Sequence, residues 1–215
     1  MKIGIIGSGI VGQVLGKAFL TERNAVMLGT RNTSKDEVVK WKEQNPSASI
    51  GTFEETAKFG EIIVLATGGA VTEDAIKMAG AENFSGKTVI DTTNPIAPEP
   101  PSNGVLKYFT DINESLMERV QQWLPGANVV KAFNSVGNAL MYKPNLQGQI
   151  PTMFICGNNV AAKEQVSAIL EDFGWEVEDM GTVEAARAIE PLCILWCIPG
   201  FLKNEWMHAF KLLKA

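Results

Sequence analysis

Three glycines near the N-terminus have the spacing required for phosphate binding by backbone N–H groups. The segment Gly7-Ser8-Gly9-Ile10-Val11-Gly12 follows an apolar run at residues 3–6 and precedes a helix-like stretch at residues 13–20. In a strand-turn-helix unit, the first glycine permits the turn, the second lets a pyrophosphate approach, and the third allows close helix packing. The helix N-terminus then offers unpaired N–H groups to the phosphates. The pattern predicts a dinucleotide-binding βαβ unit, and a glycine-rich turn without a ligand is the alternative.

The end of the predicted second strand, residues 25–28, carries a hydroxyl and a guanidinium where a carboxylate is common. Gly29-Thr30-Arg31-Asn32 follow this strand, and no acidic residue occurs between Asn24 and Ser34. A carboxylate here binds the ribose hydroxyls of NAD and repels a 2′-phosphate, whereas arginine pairs with phosphate through two N–H donors. We therefore predict NADP(H) rather than NAD(H), with Lys35 as an outer charge. An exposed loop arginine without a ligand is the alternative.

Later strand ends are also rich in small and polar residues. A buried strand at 61–66 ends in Ala66-Thr67-Gly68-Gly69-Ala70, a strand at 87–91 in Thr92-Thr93-Asn94-Pro95, and a strand at 128–133 in Asn134-Ser135. In a doubly wound sheet, ligands bind beyond the carboxyl ends of the strands. We expect the loop at 67–70 to approach the nicotinamide ribose, with an ordinary strand-helix turn as an equal alternative.

The alternation of strands and helices predicts an α/β protein with a Rossmann-type, doubly wound, mostly parallel sheet. Residues 1–182 form the predicted NADP-binding domain, which ends in a further αβ pair with an edge strand at 175–179. Helices are expected at 13–20, 34–44 with Ser34 as N-cap, 53–58, 113–123 and 160–173. The proline-rich segment 96–104 is typical of an ordered or mobile active-site loop.

Residues 183–215 form the predicted small C-terminal helical extension. Apolar residues recur there at helical spacing, and Pro191 and Pro199-Gly200 are expected to divide the extension into at least two helices. It also carries four large aromatic residues, which are Trp196, Phe201, Trp206 and Phe210. We interpret them as a dimerisation surface or a wall of the pocket, with intramolecular core as an equal alternative.

Composition excludes several classes of function. The chain has 215 residues, 46% of them hydrophobic, and a net charge of −5, which disfavours a nucleic-acid partner. It has no run of eighteen uncharged apolar residues, so we expect no membrane-spanning helix, and the first strand leaves no room for a signal peptide. Three cysteines, Cys156, Cys193 and Cys197, fit a reducing cytoplasm and are interpreted as buried thiols rather than metal ligands.

Residues for acid-base or nucleophilic catalysis are scarce. The single histidine is His208, and the sequence contains no GxSxG, HExxH or P-loop lysine motif. A dehydrogenase acting on an alcohol needs a residue to accept the hydroxyl proton. Hydride transfer between two bound redox cofactors mainly requires the two rings to lie face to face in a water-poor cleft. We therefore predict direct hydride transfer, with no catalytic side chain and no metal.

Five segments of the chain resemble the short NADPH-dependent reductases typified by coenzyme F420:NADP oxidoreductase. They are the glycine segment 7–12, Gly29-Thr30-Arg31, Asp91-Thr92-Thr93-Asn94-Pro95, Val129-Val130-Lys131-Ala132-Phe133-Asn134 and Ala186-Arg187-Ala188-Ile189-Glu190-Pro191-Leu192. The resemblance implies a Rossmann domain with a small C-terminal portion, NADP in the crevice, a deazaflavin stacked on the nicotinamide, and a homodimer. The loop Thr67-Gly68-Gly69 departs from the family pattern, in which a proline and a bulky residue are expected.

The leading hypothesis is an NADP(H)-dependent oxidoreductase that exchanges a hydride with a small-molecule acceptor, either coenzyme F420, a flavin or a similar conjugated ring. The residues predicted to border the nicotinamide are Ala66, Thr67, Gly68, Asn94 and Pro95, and those predicted to flank the second ring are Ala132 and Asn134. One alternative is a 3-hydroxyacid-type dehydrogenase that uses Lys131 to handle the proton and Asn134 to orient the carbonyl. The other is a non-catalytic protein that senses the NADPH/NADP ratio.

Overall fold

Six parallel strands form the main sheet in the computed structural model, which describes residues 1–215. They are β1 (Lys2–Ile6), β2 (Ala25–Gly29), β3 (Ser49–Gly51), β4 (Ile62–Leu65), β5 (Thr88–Asp91) and β6 (Asn128–Lys131). Their spatial order is β3-β2-β1-β4-β5-β6, which reverses direction between β1 and β4. The predicted Rossmann-type sheet is confirmed, and all six carboxyl ends lie at one edge.

Helices cover both faces of this sheet. They are α1 (Ile10–Thr21), α2 (Asp36–Gln44), α3 (Phe53–Phe59), α4 (Thr72–Ala79), α5 (Leu116–Trp123), α6 (Val160–Asp172), α7 (Ala186–Ile189) and α8 (Pro191–Lys203). One core cluster includes apolar residues of α1 and α6, and a second includes those of α3, α4 and α5. Because side chains on both faces are covered, all four residues of β4 are buried, as its continuous apolar run predicted.

Capping residues determine where the helices begin, and the sequence predicted only some of these starts. Lys35, not the predicted Ser34, is the N-cap of α2. Helix α5 begins at Leu116 rather than at residue 113, because Ser115 and Glu118 form a capping box. The same arrangement of Thr52 and Glu55 starts α3 at Phe53, as predicted.

The last two strands leave the main sheet. β7 (Thr152–Ile155) and β8 (Glu176–Asp179) form a separate parallel pair, joined to β6 by one antiparallel bridge between Lys131 and Cys156. The predicted edge strand at 175–179 is β8, and its only partner is β7. Phe133 has a φ of +62°, in the left-handed region, so β6 ends at Lys131 and the chain turns away.

The C-terminal extension is helical only as far as Lys203. Pro191 begins α8, but Pro199 lies inside this helix, so the predicted break at Pro199-Gly200 was wrong. Asn204 ends α8 in the left-handed conformation, and the remaining residues fold back over the helix without helical structure. The ring of Trp206 covers Gly200, where any side chain would overlap with it.

The extension is held to the rest of the molecule by several contacts. The indole N–H of Trp196 donates to the carbonyl of His208, at 2.8 Å, and the N–H of Thr152 donates to the carbonyl of Phe210, at 2.9 Å. Trp196 belongs to a small buried cluster with Cys193 and Cys197. The interpretation of these aromatics as intramolecular core is thus correct for Trp196, whereas Phe201 is 45% exposed.

The helical run Val183–Lys203 is long and apolar enough, by length and composition alone, to cross a membrane. The expectation of no membrane-spanning helix rested on a stricter requirement, eighteen uncharged apolar residues in a row, and it stays a prediction. Core helices of soluble proteins reach the same length and hydropathy, and part of this run is buried in the structure. Within the run, Glu190 is buried and forms an ion pair with Lys131.

The proline-rich segment 96–104 is an ordered loop. The N–H of Ala97 donates to the carbonyl of Lys107 and that of Phe109 to the carbonyl of Pro95, both at 2.9 Å. Gly104 contacts Leu202 of α8 at a position with a φ of +80°. The loop therefore packs on the C-terminal extension.

Replacement of Phe173 tests the packing on the α1 and α6 face. The ring of Phe173 is buried and lies 5.0 Å from that of Phe19 and 5.1 Å from that of Tyr142. Phe173→Ala should lower the free energy of unfolding by about 3–5 kcal/mol, because it leaves a cavity among three aromatic rings. Urea denaturation measures the change. The half-exposed Phe201 is the control: a Phe201→Ala loss as large as that of Phe173→Ala would contradict this description of the core.

Candidate active site

A long cleft lies at the carboxyl edge of the main sheet and consists of two adjoining cavities of about 610 and 430 Å³. The first lies beyond β1, β2 and β4, and the second beyond β1, β4 and β5. They share five residues, which are Gly9, Ala66, Thr67, Gly68 and Val71. The cleft therefore crosses the point where the strand order reverses, which is where doubly wound sheets bind ligands.

Each of the three glycines in the N-terminal segment is required for a different structural reason. Gly7 has a φ of +123°, and a side chain there would overlap with the carbonyl oxygen of Ala66. A side chain at Gly12 would overlap with the carbonyl oxygen of Gly7, so Gly12 allows α1 to lie against β1. A side chain at Gly9 would meet no protein atom within 4 Å and would project into the cleft. Gly9 thus leaves free the space that a ligand would fill.

The N-terminus of α1 offers unpaired donors beside Gly9. The first helical hydrogen bond runs from the N–H of Gln13 to the carbonyl of Gly9, at 3.0 Å, so the N–H groups of residues 10–12 have no helical partner. No acidic side chain occupies the first turn, and Ile10 and Val11 line the second cavity. The positive end of the helix dipole therefore faces the centre of the cleft, which suits a pyrophosphate.

At the far end of the first cavity, Thr30 shapes the turn that carries Arg31. The Thr30 hydroxyl accepts hydrogen bonds from the Ser8 hydroxyl, at 3.1 Å, and from the N–H of Asn32, at 3.2 Å. Thr30 is buried, and this hydroxyl ties the glycine segment to the end of β2. Arg31 lines the cavity and is exposed, and its guanidinium forms no hydrogen bond or ion pair. Its donors are free for a phosphate.

Two acidic residues that the sequence analysis missed also line this cavity. Glu37 pairs with Lys35 at 2.5 Å, and both side chains are about half exposed. Asp74, in the first turn of α4, is the other acid. Lys35 therefore has an ion-pair partner, and Arg31 is the cation of this wall that has none. Glu37 lies beyond the segment Asn24–Ser34, whose lack of acidic residues was the basis of the NADP(H) prediction.

The second cavity is lined without any titratable side chain. Its walls are formed by the start of α1, by the loop after β4, and by the residues after β5, which are Thr92, Thr93, Asn94 and Ile96. A side chain at Gly69 would overlap with the carbonyl oxygen of Asn94, so the two loops are in close contact. Beyond Glu37 and Asp74, the cleft residues absent from the predicted set are Phe53, Gly69, Ala70, Val71, Ala75, Met78, Thr92, Thr93 and Ile96. Of these residues, Thr92 and Thr93 could have been predicted, because they directly follow the end of β5.

Four of the predicted site residues do not line the cleft. Gly12 and Pro95 adjoin it, whereas Ala132 is fully buried and Asn134 is 3% exposed. The Asn134 amide N–H group donates to the carbonyl of Ile189, at 3.0 Å, and its backbone carbonyl accepts from the Asn94 amide, at 2.8 Å. The prediction that Ala132 and Asn134 flank a second ring is therefore corrected. Both lie behind the wall, and the reason is the early end of β6.

Lys131 is also kept away from the cleft. Its side chain is fully buried, and its ammonium lies 2.7 Å from a carboxylate oxygen of Asp91 and 2.8 Å from one of Glu190. Burial acts to lower the pKa of Lys131, but the two carboxylates outweigh it and raise this pKa above its ordinary value. Lys131 lines neither cavity, so the structure does not place it where the 3-hydroxyacid alternative requires a proton-handling residue.

Comparison with known proteins assigns the family. A family model described as NADP oxidoreductase, coenzyme F420-dependent, matches residues 2–95. The crystal structure of a protein from Arthrobacter sp. FB24, considered an F420-dependent NADP reductase, is 30% identical. It covers 100% of both chains with a TM-score of 0.93. The chain belongs to the coenzyme F420-dependent NADP oxidoreductase family.

More distant relatives extend this comparison. Rat metalloreductase STEAP3 is 28% identical to this family member over 206 residues, which are 94% of the chain and 39% of STEAP3. The chain thus spans about two fifths of the curated relative. An imine reductase from Streptomyces aurantiacus, 16% identical with a TM-score of 0.66, shares the fold over 94% of this chain and 63% of its own.

The cysteines of this family member are buried free thiols, as predicted. Burial raises the pKa of Cys156 to about 12, so its thiol is neutral at physiological pH. No group of three or more histidine, cysteine, aspartate or glutamate side chains has the arrangement of a metal site.

Replacement of Gly9 separates ligand binding from folding in this family member. Gly9→Ala should leave the melting temperature within a few degrees of wild type, because the added methyl meets no protein atom. We expect the same methyl to weaken dinucleotide binding by at least about tenfold, which is about 1.4 kcal/mol. Gly12→Ala is the matched comparison, since its methyl overlaps with Gly7 and should destabilise the fold. Calorimetry of unfolding and of binding measures both effects, and unchanged dinucleotide affinity in Gly9→Ala would contradict the site.

Proposed function

We propose that this protein is an NADP(H)-dependent oxidoreductase that passes a hydride between the nicotinamide and a conjugated ring, either the deazaflavin of coenzyme F420, a flavin or a similar acceptor. The observation that carries the proposal is the chemistry of the cleft. One end offers a free guanidinium and a helix N-terminus, and the other end has no group that could accept a substrate proton.

The first cavity suits the adenosine half of NADP(H). Arg31 would pair with the 2′-phosphate, and the N–H groups at the start of α1 would bind the pyrophosphate, with the space beside Gly9 left free for it. Ser8, Thr30 and Asn32 hold this corner in shape through their mutual hydrogen bonds. When bound, NADPH supplies the hydride, and the chain's own residues orient it.

The second cavity suits the reacting end. Thr67, Gly68 and Asn94 would border the nicotinamide, and Ile10, Val71 and Ile96 give the wall an apolar character that fits a flat ring. With no titratable side chain in this wall, an alcohol substrate would find no base for its hydroxyl proton. A ring that accepts a hydride directly requires only orientation and exclusion of water. This favours the proposed acceptor class over a hydroxyacid.

The relatives support an oxidoreductase and leave the acceptor to experiment. One bears the name of an F420-dependent reductase and another that of a metalloreductase. The homodimer and the cytoplasmic location expected from the sequence stay predictions. Exposed apolar side chains on α8, at Leu195, Phe201 and Leu202, support the homodimer.

Arg31 should decide the choice of nucleotide. We expect Arg31→Ala to weaken NADP(H) binding by about 10- to 100-fold and to leave NAD(H) binding unchanged, because two charge-assisted hydrogen bonds to the 2′-phosphate are lost. Lys35→Ala should have a smaller effect, since Glu37 already compensates Lys35. Titration calorimetry with both nucleotides measures the difference. Equal NADP(H) affinity of wild type and Arg31→Ala would remove the assignment.

Hydride exchange tests the reaction. Incubation with NADPH deuterated at one face of nicotinamide C4 and with coenzyme F420, FMN or FAD should transfer deuterium to one acceptor stereospecifically, because both rings are held in fixed orientation. Mass spectrometry of the NADP⁺ product shows whether the deuterium at C4 was removed or kept, and so detects the transfer for every acceptor. The reduced deazaflavin should in addition keep the deuterium on carbon, whereas deuterium on a flavin nitrogen exchanges with water. Gly9→Ala is the control with weakened NADPH binding. Tight NADPH binding without transfer to any of these acceptors would contradict catalysis and favour the sensing alternative.

A further inference from the structure

We infer that Lys131, Asp91 and Glu190 are positioning residues that hold Thr93 and Asn94 in place at the nicotinamide end of the cleft. The inference rests on the proposed function, because it assigns the second cavity to the nicotinamide. These three residues connect this end of the cleft to the junction of α7 and α8, where Glu190 lies.

Lys131 has three oxygen partners inside the protein. Its ammonium donates a hydrogen bond to the backbone carbonyl of Thr93, at 2.8 Å, and forms ion pairs with carboxylate oxygens of Asp91, at 2.7 Å, and Glu190, at 2.8 Å. A buried ion-pair network of this kind contributes little net stability compared with apolar side chains of the same volume. What it does supply here is a fixed position for Thr93.

Thr93 is held by all of its polar groups. Its backbone N–H and its hydroxyl both donate to the same Asp91 oxygen, at 2.9 and 2.7 Å, and its carbonyl accepts from Lys131. Thr93 is 2% exposed and still forms part of the wall of the second cavity. The two charged residues therefore determine where this part of the wall lies.

Asn94 is connected to the same junction by neutral hydrogen bonds. Its amide oxygen accepts from the Asn134 amide, at 3.3 Å, and lies 3.3 Å from the Tyr108 hydroxyl oxygen. The one Tyr108 hydroxyl proton is shared with the closer carbonyl of Glu190, at 2.7 Å, and Asn134 also donates to the carbonyl of Ile189. Two consecutive carbonyls between α7 and α8 thus fix the side chains that orient Asn94.

Glu190 also supports the opposite loop. Its carboxylate accepts from the N–H groups of Leu116 and Met117 at the start of α5, both at 2.9 Å, where the helix dipole favours a negative charge. The side chain of Leu116 lies directly against Gly69 in the loop after β4. Both loops of the second cavity therefore rest on elements that Glu190 contacts, and none of the network residues lines the first cavity.

Because the network supports one end of the cleft only, its loss should separate the two halves of the nucleotide. The test compares NADP⁺ with 2′,5′-ADP, which lacks the nicotinamide half, on the full chain by titration calorimetry. In Lys131→Met, we expect 2′,5′-ADP affinity within about twofold of wild type and NADP⁺ affinity lower by about tenfold. Tyr108→Phe removes one hydroxyl link without leaving a buried charge, and should weaken NADP⁺ alone by about threefold.

The control is Lys87→Met. The Lys87 ammonium is partly buried and donates to the carbonyl of Ala57, at 2.6 Å, just before β5 and at the sheet edge opposite the cleft. Affinity for both ligands should stay at the wild-type value. If Lys131→Met does not fold, Tyr108→Phe carries the test.

Equal weakening of both ligands in the network variants, or no change in either, would overturn the inference while the proposed function stands. A wild-type protein that binds neither ligand would instead contradict the proposed function and, with it, the inference. Selective loss of NADP⁺ affinity would not follow from general destabilisation, because a partly unfolded population lowers the apparent affinity for both ligands by the same factor.

Discussion

The close approach of α1 to the end of β1 is the constraint on which the cleft depends. Gly7 and Gly12 make it sterically allowed, since a side chain at either position would overlap with a backbone carbonyl. It brings the unpaired N–H groups of α1 to the middle of the cleft, beside the open space at Gly9. Both cavities share Gly9, so the N-terminus of α1 lies where the two halves of the cleft meet.

Much of the fold could be predicted from the sequence because it is encoded locally. Apolar runs and strand-end glycines predicted β1, β2, β4, β5 and β6 within about two residues. The errors lie where tertiary contacts override local preference. Pro199 lies inside α8, where Trp206 of the tail packs over Gly200, and the left-handed Phe133 ends β6 early and separates β7 and β8 from the main sheet.

In the candidate site, too, locally encoded features could be predicted and those set by tertiary contacts could not. Residues next to strand ends, such as Thr30, Arg31, Thr67 and Asn94, were predicted from position alone, and they do line the cleft. Glu37 and Asp74 reach it from the first turns of helices, and no local pattern shows that they face inwards. Ala132 and Asn134 fail for the opposite reason. They follow a strand, but β6 ends early, at Lys131, and the left-handed Phe133 turns the chain behind the wall.

The central claim is that Arg31 binds the 2′-phosphate of NADP(H). At the first cavity Arg31 has no ion-pair partner, whereas Lys35 is paired with Glu37, and Asp74 is the second acid. A crystal structure of the complex with NADP⁺ tests this claim most directly. The account predicts the 2′-phosphate within hydrogen-bond distance of Arg31, the pyrophosphate at the N–H groups of α1, and the nicotinamide between Thr67 and Asn94. Adenosine bound elsewhere, or the Glu37 carboxylate on the ribose hydroxyls, would contradict it.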